Sequence, residues 1–167
     1  VSTPISSFVV RPVDYADPVE GQALVDLLDA YACDPAGGGE PLSPSVKSRL
    51  VAELARRPQV FSLIAWDGSD AVGLVNCIEG FSTFVGQTLI NVHDLAVLPT
   101  HRGQGVARLL LAAAEQQAIE RGACKLTLEV LSGNARARGL YESFGFADYQ
   151  LSPEMGHACF MQKWLAR

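Results

Sequence analysis

The sequence predicts an α/β fold: one domain built on a twisted mixed sheet with helices on both faces. Three observations carry that prediction. The segments run strand, helix, helix, three strands, helix, strand, helix, strand. The middle strands flank Asp67-Gly68, a hairpin signal that asks for antiparallel pairing. The later alternation of strand and helix asks for crossovers and parallel pairing. A chain of 167 residues is long enough for one real core without disulfide or metal staples.

Each element has its own local reason. Phe8-Val9-Val10 with Arg11-Pro12 reads as a short first strand. Asp17-Pro18-Val19-Glu20 opens a helix: Asp can cap, Pro suits the first turn, and Glu three residues on completes a capping box. Leu24, Leu27, Leu28 and Tyr31 then share one helical face. Asp34 to Pro41, rich in Gly and Pro, is a loop. Ser43-Pro44 starts a second helix with Val46, Leu50 and Leu54 inward, ending before Pro58. Val60–Trp66 and Ala71–Ile78 are strands, Phe81–Thr88 a hairpin loop, and Leu89–Leu98 another apolar strand. A helix follows from about Gly105 to Arg121, with Gly122 just past its end. Leu126, Leu128 and Val130 alternate with polar residues, so that run is a strand. Asn134 caps a helix carrying Ala137, Leu140, Tyr141 and Phe144, which Gly145 stops. Ala158–Leu165 closes the chain as a last strand.

Composition narrows the function classes. Hydrophobic residues make up 49 % and charged residues 19 %, which excludes a disordered chain. No apolar run reaches the ~18 residues of a membrane span, and Val1–Ser7 has no basic signal-peptide start, so no membrane is expected. A net charge of −5 argues against nucleic acid as a partner. Cys33, Cys77, Cys124 and Cys159 have neither CxxC nor metal-ligand spacing. Free buried thiols, no metal and a reducing, cytoplasmic setting are expected.

The chemistry concentrates in Leu95 to Arg108. An apolar strand ends at Pro99, a loop with Gly103 and Gly105 follows, and a long helix begins. Such glycines let backbone N–H groups converge as an anion nest. A helix N-terminus adds partial positive charge and unsatisfied donors, and Arg102 and Arg108 add full charges. The physics points to a phosphate or pyrophosphate. The Walker Gly-Lys-Ser/Thr is absent, and Arg108 stands where a Rossmann fingerprint needs its third Gly. A plain packing turn is the alternative.

A second segment, Asn134 to Phe146, lies about 30 residues downstream. Arg102, Gly105 and Ala107 fit Q/R-x-x-G-x-G/A, and Asn134, Ala137, Leu140, Tyr141, Gly145 and Phe146 fit N-x-x-A-x-x-L-Y-x-x-x-G-F. Both, in this order, resemble the GNAT superfamily of N-acetyltransferases. The likeness covers residues 70–165 and is thin before them. Asn91–Val97 with Lys125–Val130 looks like its bacterial, histone-acetyltransferase-like branch.

The resemblance implies a GNAT-like acyl-CoA N-acyltransferase fold over residues 1–167, with acetyl-CoA as cosubstrate. It implies a strand bulge whose neighbours Leu95, Ala96 and Val97 pair through their backbone with the pantetheine arm and can polarise the thioester carbonyl. The amides of Gly103, Gln104, Gly105, Val106, Ala107 and Arg108 would hold the pyrophosphate. Asn134 would bond the pantetheine chain beside Ala137, and Tyr141 would protonate the leaving thiolate. Against these stand plainer roles: Tyr141 as core, Asn134 as a helix cap.

The acceptor amine must be neutral to attack, so a base is needed. Glu79, His93 and Asp94 are the candidates; on a strand His93 and Asp94 face opposite ways, so one of them is available. Phe84 and its neighbours, or Asp29, Asp34 and Glu40, could meet a small-molecule or peptide amine. Direct attack in a ternary complex is expected over a cysteine relay, because Cys77 and Cys124 lie in apolar runs that should bury them. The rivals are a non-catalytic CoA-binding sensor or regulatory module and an enzyme using another acyl-CoA. A homodimer through the last strand or the helices is compatible with the sequence.

Overall fold

A computed structural model describes residues 8–165; the signal-peptide reading of residues 1–7 lies outside them. The chain divides into two compact units between Leu128 and Glu129.

The first unit holds one five-stranded sheet in sequential order, β1 (Val9–Pro12), β2 (Val60–Asp67), β3 (Asp70–Ser82), β4 (Gln87–Val97) and β5 (Leu126–Leu128). β1 to β4 pair antiparallel; β5 joins β4 in parallel. The sheet is mixed, as expected. The hairpin between β2 and β3 turns on Gly68, whose φ of 60° suits a tight two-residue turn.

Helix α1 (Pro18–Cys33) starts at Asp17, whose carboxylate accepts from the N–H groups of Val19 and Glu20. The expected box closes differently. Glu20 Oε2 accepts from Asp14 N at 2.7 Å, so it ties down the incoming chain rather than the cap itself. Helix α2 (Pro44–Ala55) is capped by Ser43. The loop between them is ordered by Gly39 N and Glu40 N donating to Ala32 O.

Two layers sandwich the sheet. Leu24 and Leu27 of α1 pack with Ile64, Trp66 and Leu74 on one face. On the other lies α3 (Val106–Glu120), which buries Val106, Leu110, Leu111, Ala114 and Ala118. Adjacent strand residues point oppositely. Leu74 therefore meets α1, while Gly73 lets Leu110 and Val106 approach the backbone.

The second unit contains α4 (Ala135–Phe144), capped by Asn134 and ended by Gly145 at φ 104°. The expected last strand over Ala158–Leu165 does not form: these residues carry no strand, and a lone bridge joins Gln150 to His157. Phe160, Met161, Trp164 and Leu165 are exposed there, so the apolar run has no ladder partner and forms no strand. Phe81–Thr88 is likewise not all loop. β3 runs to Ser82 and β4 begins at Gln87, because cross-strand pairs continue to Ser82–Gln87. Val130 lies past the end of β5.

Candidate active site

The site is built around β4. Its register with β3 slips by one residue: Asn76 opposes Asp94, yet Cys77 opposes Val92. His93 is the extra residue, a β-bulge that bends the strand. Among the described residues the parallel register with β5 covers Ile90 to Val92 and stops at the bulge. Leu95, Ala96 and Val97 are paired to β3 on one side and lie beyond the reach of β5 on the other.

Downstream, a 3₁₀ turn (Pro99–His101) leads into the glycine loop. Gly103 and Gly105 have φ of 77° and 87°, in the left-handed region that favours glycine. A Cβ at either would meet nothing within 4 Å, so backbone conformation rather than space demands glycine here. Gly105 is the N-cap of α3 and supplies no side-chain cap. The first N–H groups of α3 therefore start as donors that the cap itself does not use. Val106 is 1 % exposed, and this anchor holds the helix start against the sheet.

Arg102 is engaged inside the fold. Its Nε donates to Val97 O at 3.0 Å and its Nη2 to Asp34 Oδ2 at 2.8 Å. It joins the end of β4 to the C-cap of α1. Gln104 Nε2 donates to Thr100 O at 3.0 Å, bracing the loop. Arg108 is exposed on the first turn of α3, with Ala107 beside it.

The three base candidates separate. Glu79 pairs with Arg121 at 3.3 Å and sits opposite Ile90, away from the bulge. His93 is exposed at the bulge. Asp94 is half-buried, and its Oδ2 accepts from Asn76 Nδ2 at 3.0 Å. Tyr31 of α1 lies in the field of Asp94: burial first, then the carboxylates of Asp94 and Asp34, push its phenol up. It therefore stays a neutral donor.

The acidic residues expected to meet an amine are largely occupied. Asp29 accepts from Lys47 Nζ at 2.6 Å and from Leu42 N, and the Lys47 contact holds its carboxyl below the usual range. Asp34 holds Arg102. Phe84 is 94 % exposed at the hairpin tip.

The thiols depart from expectation in part. Cys77 is buried, and burial pushes its thiol up to about 12. Cys33, Cys124 and Cys159 are exposed. Cys124 precedes β5 instead of lying inside it, so its side chain is not enclosed by the sheet.

In the second unit, Asn134 Oδ1 accepts from Ala137 N at 3.1 Å, the capping role. Its Nδ2 is a donor that capping does not use. Tyr141 is half-buried on α4, edge-on to Phe146 with ring centroids 5.9 Å apart.

What sequence reasoning missed is the polar line behind Asp94. Tyr15, Ser62 and Asn76 come from separate elements, and only the register brings them together. The available signal was Ser62 and Asn76 interrupting apolar strand runs.

Residues 24–146 match the Acetyltransferase (GNAT) family. The chain is 39 % identical over 80 residues to the streptothricin acetyltransferase of Streptomyces lavendulae, covering 46 % of this chain and 42 % of that one. It is 35 % identical over 111 residues to the thialysine N-epsilon-acetyltransferase of Bos taurus, covering 66 % and 61 %. The chain thus spans about half of these relatives' lengths. A solved structure described as a probable acetyltransferase superposes with a TM-score of 0.75 at 22 % identity, over 93 % of this chain and 97 % of that one. The mixed sheet, the bulged β4 and the glycine-capped α3 are thus the GNAT acyl-CoA N-acyltransferase fold, and the chain belongs to the acetyltransferase (GNAT) family.

Proposed function

We propose that the chain is a single-domain, acetyl-CoA-dependent N-acetyltransferase acting on a primary amine, by direct attack in a ternary complex. The observation that carries this reading is β4 leading into α3. The strand loses its β5 partner at Val92, and the helix it feeds begins at a glycine with φ 87° and no side-chain cap. An extended amide chain and a pyrophosphate fit those two features in that order. Acetyl-CoA supplies an acetyl group on a thioester.

The chain's residues do the rest. The backbone of Leu95, Ala96 and Val97 binds the pantetheine arm, and the amides from Gly103 to Arg108 bind the pyrophosphate. Arg102 serves by fixing the loop to Val97 and Asp34. Asn134 adds its Nδ2 to the pantetheine while capping α4. Tyr141 donates its phenolic proton to the departing thiolate. Asp94 takes the proton from the acceptor amine and frees its lone pair. What supports Asp94 over Glu79 and His93 is its half-buried, hydrogen-bonded setting beside the bulge, against an ion-paired Glu79 and an exposed His93. Cys77, with its thiol at about 12, is a poor nucleophile, which favours direct attack.

The acceptor we infer is a primary amine on a short flexible chain, since two relatives are named for thialysine and streptothricin. The test is CoA release from acetyl-CoA, followed with a thiol reagent, with thialysine and streptothricin as acceptors. Amine-dependent release is expected. Release that neither amine accelerates would overturn the acceptor assignment.

A further inference from the structure

Four polar side chains from four separate pieces of the fold form one line. Ser62, Asn76 and Asp94 are direct cross-strand partners on β2, β3 and β4, so they share one rung and one face of the sheet. Tyr15, in the connection from β1 to α1, closes the far end. The distances are 2.8 Å from Tyr15 Oη to Ser62 Oγ, 2.6 Å from Ser62 Oγ to Asn76 Oδ1, and 3.0 Å from Asn76 Nδ2 to Asp94 Oδ2. Ser62 is 2 % exposed and Asn76 5 %.

The line has one direction. Ser62 donates its single proton to Asn76 Oδ1, so the Tyr15 hydroxyl must donate to Ser62. Burial first pushes the Tyr15 phenol up, which keeps that proton in place. The amide of Asn76 is then fixed in one orientation: its oxygen is taken by Ser62, and its Nδ2 is turned to Asp94. An amide conducts no proton readily, so the line orients rather than relays. Ser62 and Asn76 interrupt apolar strand runs, and each side chain is satisfied through the next member of the line. Among the described residues, Tyr31 of α1 and Cys77 of the adjacent rung lie in the field of Asp94, and His93 precedes it at the bulge.

We propose that Tyr15, Ser62 and Asn76 are positioning residues that lock Oδ2 of Asp94 and leave Oδ1 for the acceptor amine. The proposal rests on the reading of Asp94 as the base. Its consequence is that the three residues act on rate through Asp94 and not on cosubstrate binding.

The test uses the full chain with acetyl-CoA and thialysine. Asn76→Leu should lower kcat about tenfold, and Ser62→Ala and Tyr15→Phe about threefold to tenfold, the rate equivalent of one hydrogen bond. KM for acetyl-CoA should stay within twofold. In an Asp94→Asn background, Ser62→Ala should lower kcat no further. A second readout needs no acceptor: the side-chain amide resonances of Asn76 should shift in both Ser62→Ala and Asp94→Asn. Unmoved Asn76 resonances, or an undiminished Ser62→Ala effect in the Asp94→Asn background, would overturn the positioning line. Full kcat in Asp94→Asn would instead overturn the base reading beneath it.

Discussion

Gly73 is where the start of α3 meets the sheet, and Gly73→Ala tests that junction. A methyl there would lie 3.0 Å from Leu110 Cδ1, 3.0 Å from Val106 Cγ1 and 3.1 Å from Ala96 O. Ordinary carbon contacts sit at about 3.5–4.0 Å, so the neighbours must move by roughly half an ångström. Leu110 is 0 % and Val106 1 % exposed, so neither swings freely. Ala96 O is backbone of β4 and cannot swing at all. Overpacking of this kind costs about 1–3 kcal/mol. For a domain of this size that lowers Tm by about 2–12 °C. Val106 is also the first residue of α3, so the strain falls on the turn proposed to hold the pyrophosphate, and acetyl-CoA should bind more weakly. The assay is urea unfolding at constant m, with acetyl-CoA titration alongside. Gly80→Ala is the contrast, because its methyl meets only the flexible Leu89 side chain at 3.2 Å. A Gly73→Ala protein as stable as Gly80→Ala would refute the close approach of α3 to β3.

Other outcomes follow from the same residues. Tyr141→Phe should lower kcat about a hundredfold with acetyl-CoA affinity within twofold; titration and steady-state rates check it, and an unchanged kcat would remove Tyr141 as the acid. Cys124→Ala should retain turnover under the proposed direct attack; loss of turnover together with a trapped acetyl-thioester would reverse that. Cys77 makes the fold sensitive to alkali. Burial keeps its proton on to about 12 in the fold, well above an ordinary thiol, so its contribution is complete below the ordinary thiol range and is lost as pH rises toward 12. Between pH 8 and 10 the loss is on the order of 1 kcal/mol, read as a fall in urea midpoint that Cys77→Ala should not show.

Much of the fold was legible because its signals are local. Asp17, Ser43 and Asn134 cap the helices that their positions announced, and Gly122 and Gly145 follow α3 and α4 with positive φ. The glycine loop was legible for the same reason, since Gly103 and Gly105 are needed by the backbone itself. The terminal strand was not, because an apolar run over Ala158–Leu165 does not specify a ladder neighbour. The polar line was hidden by register. Counting from the tight turn, Ser62 would oppose Val75. A bulge at Ala65/Trp66 shifts the pairing and brings it opposite Asn76. A second slip in β4 then sets Asp94 on the same rung. Two irregularities that no local pattern announces decide which polar groups meet. Arg102 shows the complementary case: its place in the motif was legible, but its bonds to Val97 and Asp34 were not.

The central claim is that the β4–α3 turn holds acetyl-CoA. Thermal unfolding with and without acetyl-CoA, with NAD as control and Gly105→Asp as variant, tests it most directly. At ~100 times its Kd, acetyl-CoA should stabilise the protein by about 2.7 kcal/mol, a shift of roughly 5–10 °C. NAD should give no shift. Gly105→Asp sets a carboxylate and a disfavoured φ of 87° at the cap of α3, and should lose the shift. An absent shift in the wild type, or an equal one in Gly105→Asp, would contradict the account.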